Sequence, residues 1–190
     1  MIVLIRHGPT RWNEEGRMQG RADLPLSAAG RAQVASWRLP ASWADARWLS
    51  SPLRRAIDTA ARLTDRPVSV EPRLIEMDWG AWEGRTLADL RAETPRAMAA
   101  NEARGLDFRP PGGESPREVR ARLAGLFAEL ADDVVCVTHK GVIRAALSLA
   151  TGWDMLSKPP LRLGDDTALI LSHDDTGRLE FQVALIRLIG

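Results

Sequence analysis

Two histidines in this 190-residue chain stand directly after short runs of apolar, largely β-branched residues: His7 closes "LIRH" and His139 closes "VVCVTH". Such runs read as strands buried on both faces. In an open α/β sheet the ligand crevice lies beyond the carboxyl ends of the strands. If the two strands are parallel neighbours, both imidazoles and Arg6 converge on one pocket. The chemistry open to that trio is that of phosphate esters. A neutral imidazole is a nucleophile toward phosphorus, and an arginine offers planar paired donors suited to phosphate oxygens. Taken singly, a histidine after a strand serves as well in a structural role; it is the convergence with Arg6 that sharpens the chemical reading. The third histidine, His173, falls in "SHDDTG", read as a surface turn. There is no paired-histidine spacing, cysteine cluster or HExxH-type helix, so no metal and no other cofactor is expected.

The elements that must position these groups are marked by start and stop signals. Ser27 is placed to cap "SAAGRAQVASWRL", and Ser51 to cap "SPLRRAIDTAARL" with Pro52 at the first helical position. Ser115 and Glu118 form a capping box for "SPREVRARLAGLFAELADD". "GVIRAALSLATG" reads as a helix stopped at Gly152, and "TALILS" and "FQVALIRL" as strands around the turn "HDDTGR". Strands alternating with helices predict an α/β fold: a mostly parallel central sheet with helices on both faces, closed by a hairpin, in a single domain spanning 1–190. Residues 84–114, helix-forming at first and rich in Pro and Gly at the end, read as an insertion over one edge of the sheet, a lid or specificity segment.

Composition bounds the partners. Lys plus Arg number 26 against 25 for Asp plus Glu, a formal charge of +1. No global basic field points to nucleic acid or to a membrane surface, so any anion binding is local. The lone cysteine, Cys136, sits inside an apolar run and reads as a small buried hydrophobe. "MIVLI" runs straight into Arg6 with no basic leader or cleavage site, and no stretch is long and apolar enough for a span. A cytoplasmic protein is expected, with a small substrate as its partner. Oligomeric state is not legible. Seven tryptophans accompany no tyrosine; Trp79 and Trp82 serve either as core filling or as a wall for an apolar or ring-bearing substrate.

"RHGPTRWNEEGRMQGRADLPLSAAGRAQ" resembles the opening of the histidine phosphatase superfamily, phosphoglycerate mutase-like branch. The resemblance continues in order through "SSPLRRAIDTA", "LIEMDWGAWEGRT", "PGGES" and "VTHKGVIRAAL". It implies that His7 attacks phosphorus and is transiently phosphorylated, while Arg6, Arg55 and His139 surround the transferring group. The family arginine directly precedes Ala, hence Arg55; Arg54 reads as a solvated helix residue. Asn13, Gln19 and Gly20 are implied to border the phosphate, and Lys140, directly after His139, is read as a further phosphate-binding residue. Glu76, in L-x-E, is implied as the proton donor to the leaving oxygen, with a pKa raised by burial or by the incoming dianion. Glu83, in "WEG", is the competing carboxylate and reads better as a structural contact.

Two positions depart from the pattern. Pro9 stands where the family usually has Glu, and Lys140 where many members have Gly or Asn. An ammonium at the pocket rim favours a substrate with extra negative charge; a solvent-facing lysine is the alternative. The reading that follows is a metal-independent phosphomonoester hydrolase acting through phospho-His7 on a small metabolite. The alternatives are a cofactor-dependent phosphoglycerate mutase, whose enclosing segments a 190-residue chain has little room for, an α-ribazole phosphate phosphatase, a protein phosphatase for phosphohistidine or phosphopeptides, and a phospho-ligand binding module without catalysis.

Overall fold

Residues Ile2–Arg6 form the first strand, β1, and their side chains alternate between two apolar clusters: Ile2 and Leu4 join one, Val3 and Ile5 the other. Strand β4, Val134–Thr138, divides its residues the same way, with Val134 and Cys136 in the first cluster and Val135 and Val137 in the second. A strand buried on both faces has no polar side to show, which is why both runs are continuously apolar. The computed structural model describes residues 1–172 and 182–188. Four further strands complete a sheet: β2 (Arg47–Ser50), β3 (Val68–Val70), β5 (Thr167–Ser172) and β6 (Gln182–Arg187). Their order is β3-β2-β4-β1-β5-β6. The first four run parallel, while β5 is antiparallel to both β1 and β6, the expected closing hairpin. The intervening turn, with His173, lies outside the described residues.

Among the described residues seven α-helices connect and cover the sheet: α1 (Arg11–Glu14), α2 (Ala28–Ser36), α3 (Arg54–Leu63), α4 (Leu87–Glu93), α5 (Pro95–Glu102), α6 (Pro116–Glu129) and α7 (Lys140–Thr151). Helices α6 and α7 bury Leu123, Phe127, Val142 and Leu147 against one face. Helices α2 and α3 bury Val34, Ala56 and Ala60 against the other. Each fully buried aliphatic contributes roughly 1.5–3 kcal/mol, and a slip of one residue in β1 or β4 would exchange the two faces. Core packing therefore fixes the pairing of β1 with β4, Ile2 opposite Val134 through Arg6 opposite Thr138.

The caps predicted at Ser27 and at Ser115 with Glu118 form, and Gly152 closes α7 in the left-handed region at φ 72°. The start of α3 differs. Ser51 is not its cap; the helix begins at Arg54, with Leu53 at the cap position. The Ser51 amide donates to Val137 O at 2.9 Å, extending the β2–β4 ladder past the strand end. The helix therefore starts only at Arg54, after a bend at Pro52 and Leu53, and Arg55 enters the first turn of α3 buried. Cys136 is buried, and burial pushes its thiol up to about 12, which leaves it a small hydrophobe.

Candidate active site

The register of β1 and β4 sets His7 and His139 abreast at the carboxyl end of the sheet, ring centroids 5.0 Å apart. The His7 amide donates to Thr138 O at 2.9 Å, one step beyond the strand. His7 Nδ1 lies 2.6 Å from Gly8 O, an acceptor only, so Nδ1 carries the proton. Nε2 then holds the lone pair, and it accepts from Arg55 Nε at 3.2 Å. His139 has the opposite arrangement: Nδ1 accepts from Arg55 Nε at 3.3 Å, and Nε2–H donates to Ser51 Oγ at 2.7 Å. One N–H of Arg55 thus addresses both rings. Burial first, and the charges of Arg55 and Arg6 next, hold the His7 pKa well below its usual value. Burial and Arg55 do the same for His139. Both imidazoles are neutral at neutral pH, the state a nucleophile requires.

Arg55 is wholly buried, and each terminal nitrogen gives one bond to the 20–22 loop, Nη1 to Ala22 O and Nη2 to Gly20 O, both at 2.7 Å, with a second N–H left on each. A guanidinium held by three sets of partners cannot swing, so it fixes the histidines against the 20–22 loop. Glu83 secures that loop from outside, accepting from the amides of Arg21 and Ala22 at 2.6 and 3.1 Å. This is the structural contact expected of Glu83. Gly20, at φ 52°, passes so close to the Glu83 carboxylate that any Cβ would collide with it. Thr59 Oγ1 accepts from the Gly8 amide at 3.0 Å and donates to Arg55 O at 2.7 Å, tying α3 to the turn after His7.

Glu76 reaches the same cavity from the opposite side. Its carboxyl accepts from the Met77 amide at 2.8 Å and from the Gly141 amide, in the first turn of α7, at 3.2 Å. Burial raises its pKa, and those amides and Arg55 only partly offset the rise. The carboxyl therefore holds its proton to higher pH than an exposed glutamate does. A Cβ at residue 141 would collide with the carboxyl, so glycine is needed there.

A cavity of about 660 Å³ opens over these groups, within the range typical of small-molecule sites. Arg6, His7, Asn13, Gln19, Gly20, Arg55, Glu76 and Lys140 all line it, so eight of the nine residues expected at the site reach the cavity wall. The ninth, His139, sits behind, buried against Arg55 and Ser51. The Asn13 Oδ1 atom is turned inward, accepting from the Thr10 amide at 3.0 Å, and Gln19 Oε1 accepts from Thr10 Oγ1 at 2.8 Å. Arg6 Nη1 pairs with Asp165, and its buried Nε has no partner among the described residues. Trp79 stands in the wall and packs edge-on against Phe108, and Trp82 packs on that same ring from 5.6 Å. The 84–114 stretch adds Leu87, Arg91, Glu102 and Gly105 to the wall. Arg54 is exposed, as expected. Ser51, Thr10, Thr59 and Asp165 are site residues that sequence reasoning missed. For Ser51 the signal was present inside "SSPLRRA" but reads more simply as a helix cap. Among the described residues no group of three or more His, Cys, Asp or Glu is placed to hold a metal ion, and no helix is long and apolar enough to cross a membrane.

A neutral imidazole at the wall of a cationic cavity, faced by a buried carboxyl whose pKa is raised, defines a phosphoryl-transfer enzyme on an α/β scaffold. Residues 2–184 match the model of the histidine phosphatase superfamily, branch 1, and the chain belongs to that family. It is 38% identical over 178 residues to the glucosyl-3-phosphoglycerate phosphatase of Mycolicibacterium vanbaalenii, covering 84% of this chain and 78% of the relative. The mycobacterial glucosyl-3-phosphoglycerate phosphatase in complex with inorganic phosphate superposes with a TM-score of 0.82 at 31% identity, over 99% of this chain and 97% of that one. The α-ribazole phosphatase of Shigella flexneri gives 0.81 at 28% identity, over 100% and 98%. The chain is a phosphomonoester hydrolase acting on a small phosphorylated metabolite.

Proposed function

We propose that hydrolysis runs through a phosphohistidine at His7 and needs no metal ion. The observation that carries this reading is the Nδ1–H bond to Gly8 O, which puts the lone pair on Nε2, the atom that Arg55 Nε addresses at 3.2 Å beside the cavity. Nε2 attacks phosphorus as the ester P–O bond breaks, and the departing oxygen takes the Glu76 proton. Arg6, Arg55, Asn13, Lys140 and the amides at the start of α7 stabilise charge on the three equatorial oxygens, the work a metal ion does elsewhere. Water then attacks the phosphohistidine, giving its proton to the Glu76 carboxylate, and inorganic phosphate leaves with the histidine and the acid restored. Residues 84–114 act as the lid over this site and as its specificity segment.

The test is rapid quenching with a ³²P-labelled ester. Acid-labile, base-stable label should appear on the wild-type protein and be absent from His7→Ala, and turnover should survive exhaustive chelation. Label on a serine, or turnover retained in His7→Ala, would overturn the mechanism; loss restored by a divalent ion would overturn its metal independence.

A further inference from the structure

Six cationic side chains line the cavity, Arg6, Arg17, Arg55, Arg91, Lys140 and Arg144, against two acidic residues, Glu76 and Glu102. Most of the cations have a partner. Arg6 pairs with Asp165, Arg17 with Glu15 and Arg91 with Glu102, and Arg55 bonds to both histidines and to the 20–22 loop. Arg144 is the exception that matters. It is half-buried and stacked on Trp153, guanidinium carbon 4.8 Å from the ring centre, and among the described residues it has neither an ion pair nor a hydrogen bond. Burial alone pulls its pKa down, with no carboxylate set against that pull. Lys140, four residues earlier in α7, has no acidic partner either.

Placing these two cations there is unfavourable for the bare helix. Like charges at i and i+4 repel, and both stand near the positive end of the α7 dipole. An anion bound between them would relieve both penalties. Arg144 lines the same cavity as Gly141, in the first turn of α7, and Glu76, which faces that turn. Arg144 is about 4.5 Å along the axis from Gly141 at the usual rise per residue, which is short enough for one small molecule to span from the reacting phosphate. The Trp153 contact restrains the guanidinium beside the cavity, and its planar fork of donors suits a carboxylate.

We infer that Arg144, flanked by Lys140, forms a second anion subsite that reads a carboxylate on the substrate, a few ångströms from the phosphate transferred to His7. The inference rests on the reading of the cavity as a phosphoester site. It makes Arg144 a specificity residue rather than a catalytic one. Because the carboxylate does not change during phosphoryl transfer, its contact is the same in ground and transition states and acts through KM.

The experiment uses a matched pair of esters, D-3-phosphoglycerate and sn-glycerol 3-phosphate, which differ by a carboxylate in place of a hydroxymethyl group. The wild-type protein should prefer the carboxylated ester in kcat/KM by about 10- to 100-fold, the range for a charged hydrogen-bonded contact. Arg144→Met should bring the ratio near unity, with the loss in KM, and Arg144→Lys should keep part of the preference. A wild-type ratio near unity, a ratio unchanged in Arg144→Met, or an equal loss on both esters would overturn the inference. If neither ester is turned over and no phosphoenzyme forms, the hydrolytic reading fails instead. Calorimetric titration of the same two esters then decides the carboxylate subsite on affinity alone.

Discussion

A guanidinium beside a carboxyl pulls its pKa down, but at Glu76 desolvation outweighs Arg55 and two backbone amides and the pKa is raised. That direction suits the proposed donor, and a donor matters in proportion to how poor the leaving group is. Glu76→Gln keeps the shape and removes the proton, so hydrolysis of an alkyl phosphate should fall by roughly 10²–10⁴-fold, while a nitrophenyl ester should lose far less. Glu83→Gln should affect both esters alike, since Glu83 holds the amides of Arg21 and Ala22. The comparison is made in kcat/KM, and a leaving-group-dependent loss at Glu83 alone would move the acid to that residue. The histidines carry a second consequence. Folded, both stay neutral well below the usual value; unfolded, each takes a proton near pH 6.5. The unfolded state therefore binds more protons as pH falls, and stability drops from about pH 6.5 down to the folded values. Glu76 has the opposite sign, its folded state keeping a proton that the unfolded chain loses above about pH 4.3. Denaturant titrations between pH 6.5 and 5 should show a slope in His7→Asn shallower than wild type by up to about 1.4 kcal/mol per pH unit; equal slopes would show that His7 is not held neutral.

At the level of elements, the site exists because two strands end together and three helix starts converge on them. The strand ends were legible: continuous apolar runs closed by His7 and His139 leave little else to choose. The beginning of α3 was not, because Ser-Pro is the commonest kind of helix start and nothing local reveals that the Ser51 amide continues the β4 ladder and its hydroxyl meets His139. Contacts such as Arg6 with Asp165 are equally silent in sequence, separated as they are by 159 residues. Helix α2 shows how tightly the elements are set. A Cβ on Gly30 would collide with the backbone carbonyl of Pro9, in the turn that follows His7. That carbonyl also accepts from the Ser27 amide at 3.0 Å, so it cannot retreat without losing a bond at the helix start. Gly30→Ala gains roughly 1 kcal/mol in helix propensity, but the overpacking, at about 1–3 kcal/mol, exceeds it. Net destabilisation is expected in the denaturant midpoint, with kcat/KM falling as the His7 turn shifts; a raised midpoint would mean that α2 moves freely from the turn.

Across the whole molecule, stability is unevenly shared between the sheet and the segment over the cavity. Helix α7 buries Val142, Ile143, Ala145, Ala146, Leu147 and Ser148, whereas α4 buries only Leu90 and α5 only Met98. The ties around the segment are largely exposed ion pairs, Arg85 with Glu93, Arg91 with Glu102 and Arg117 with Asp107. Each such pair contributes about 0–1 kcal/mol, against roughly 1.5–3 kcal/mol for each buried aliphatic of the core. Local opening of α4 and α5 should then cost far less than global unfolding, as it does for lids generally. Native-state hydrogen exchange should find the amides of 87–102 exchanging well before those of β1, β4 and α7. Arg91 and Phe108 face the cavity, so an oxyanion such as vanadate, bound with a sugar-sized alcohol, should slow exchange in α4 and α5 more than in the sheet. Protection of α4 and α5 equal to that of β4, unchanged by ligand, would show instead that the segment is a fixed wall, with specificity set by static contacts and no closing step in the catalytic cycle.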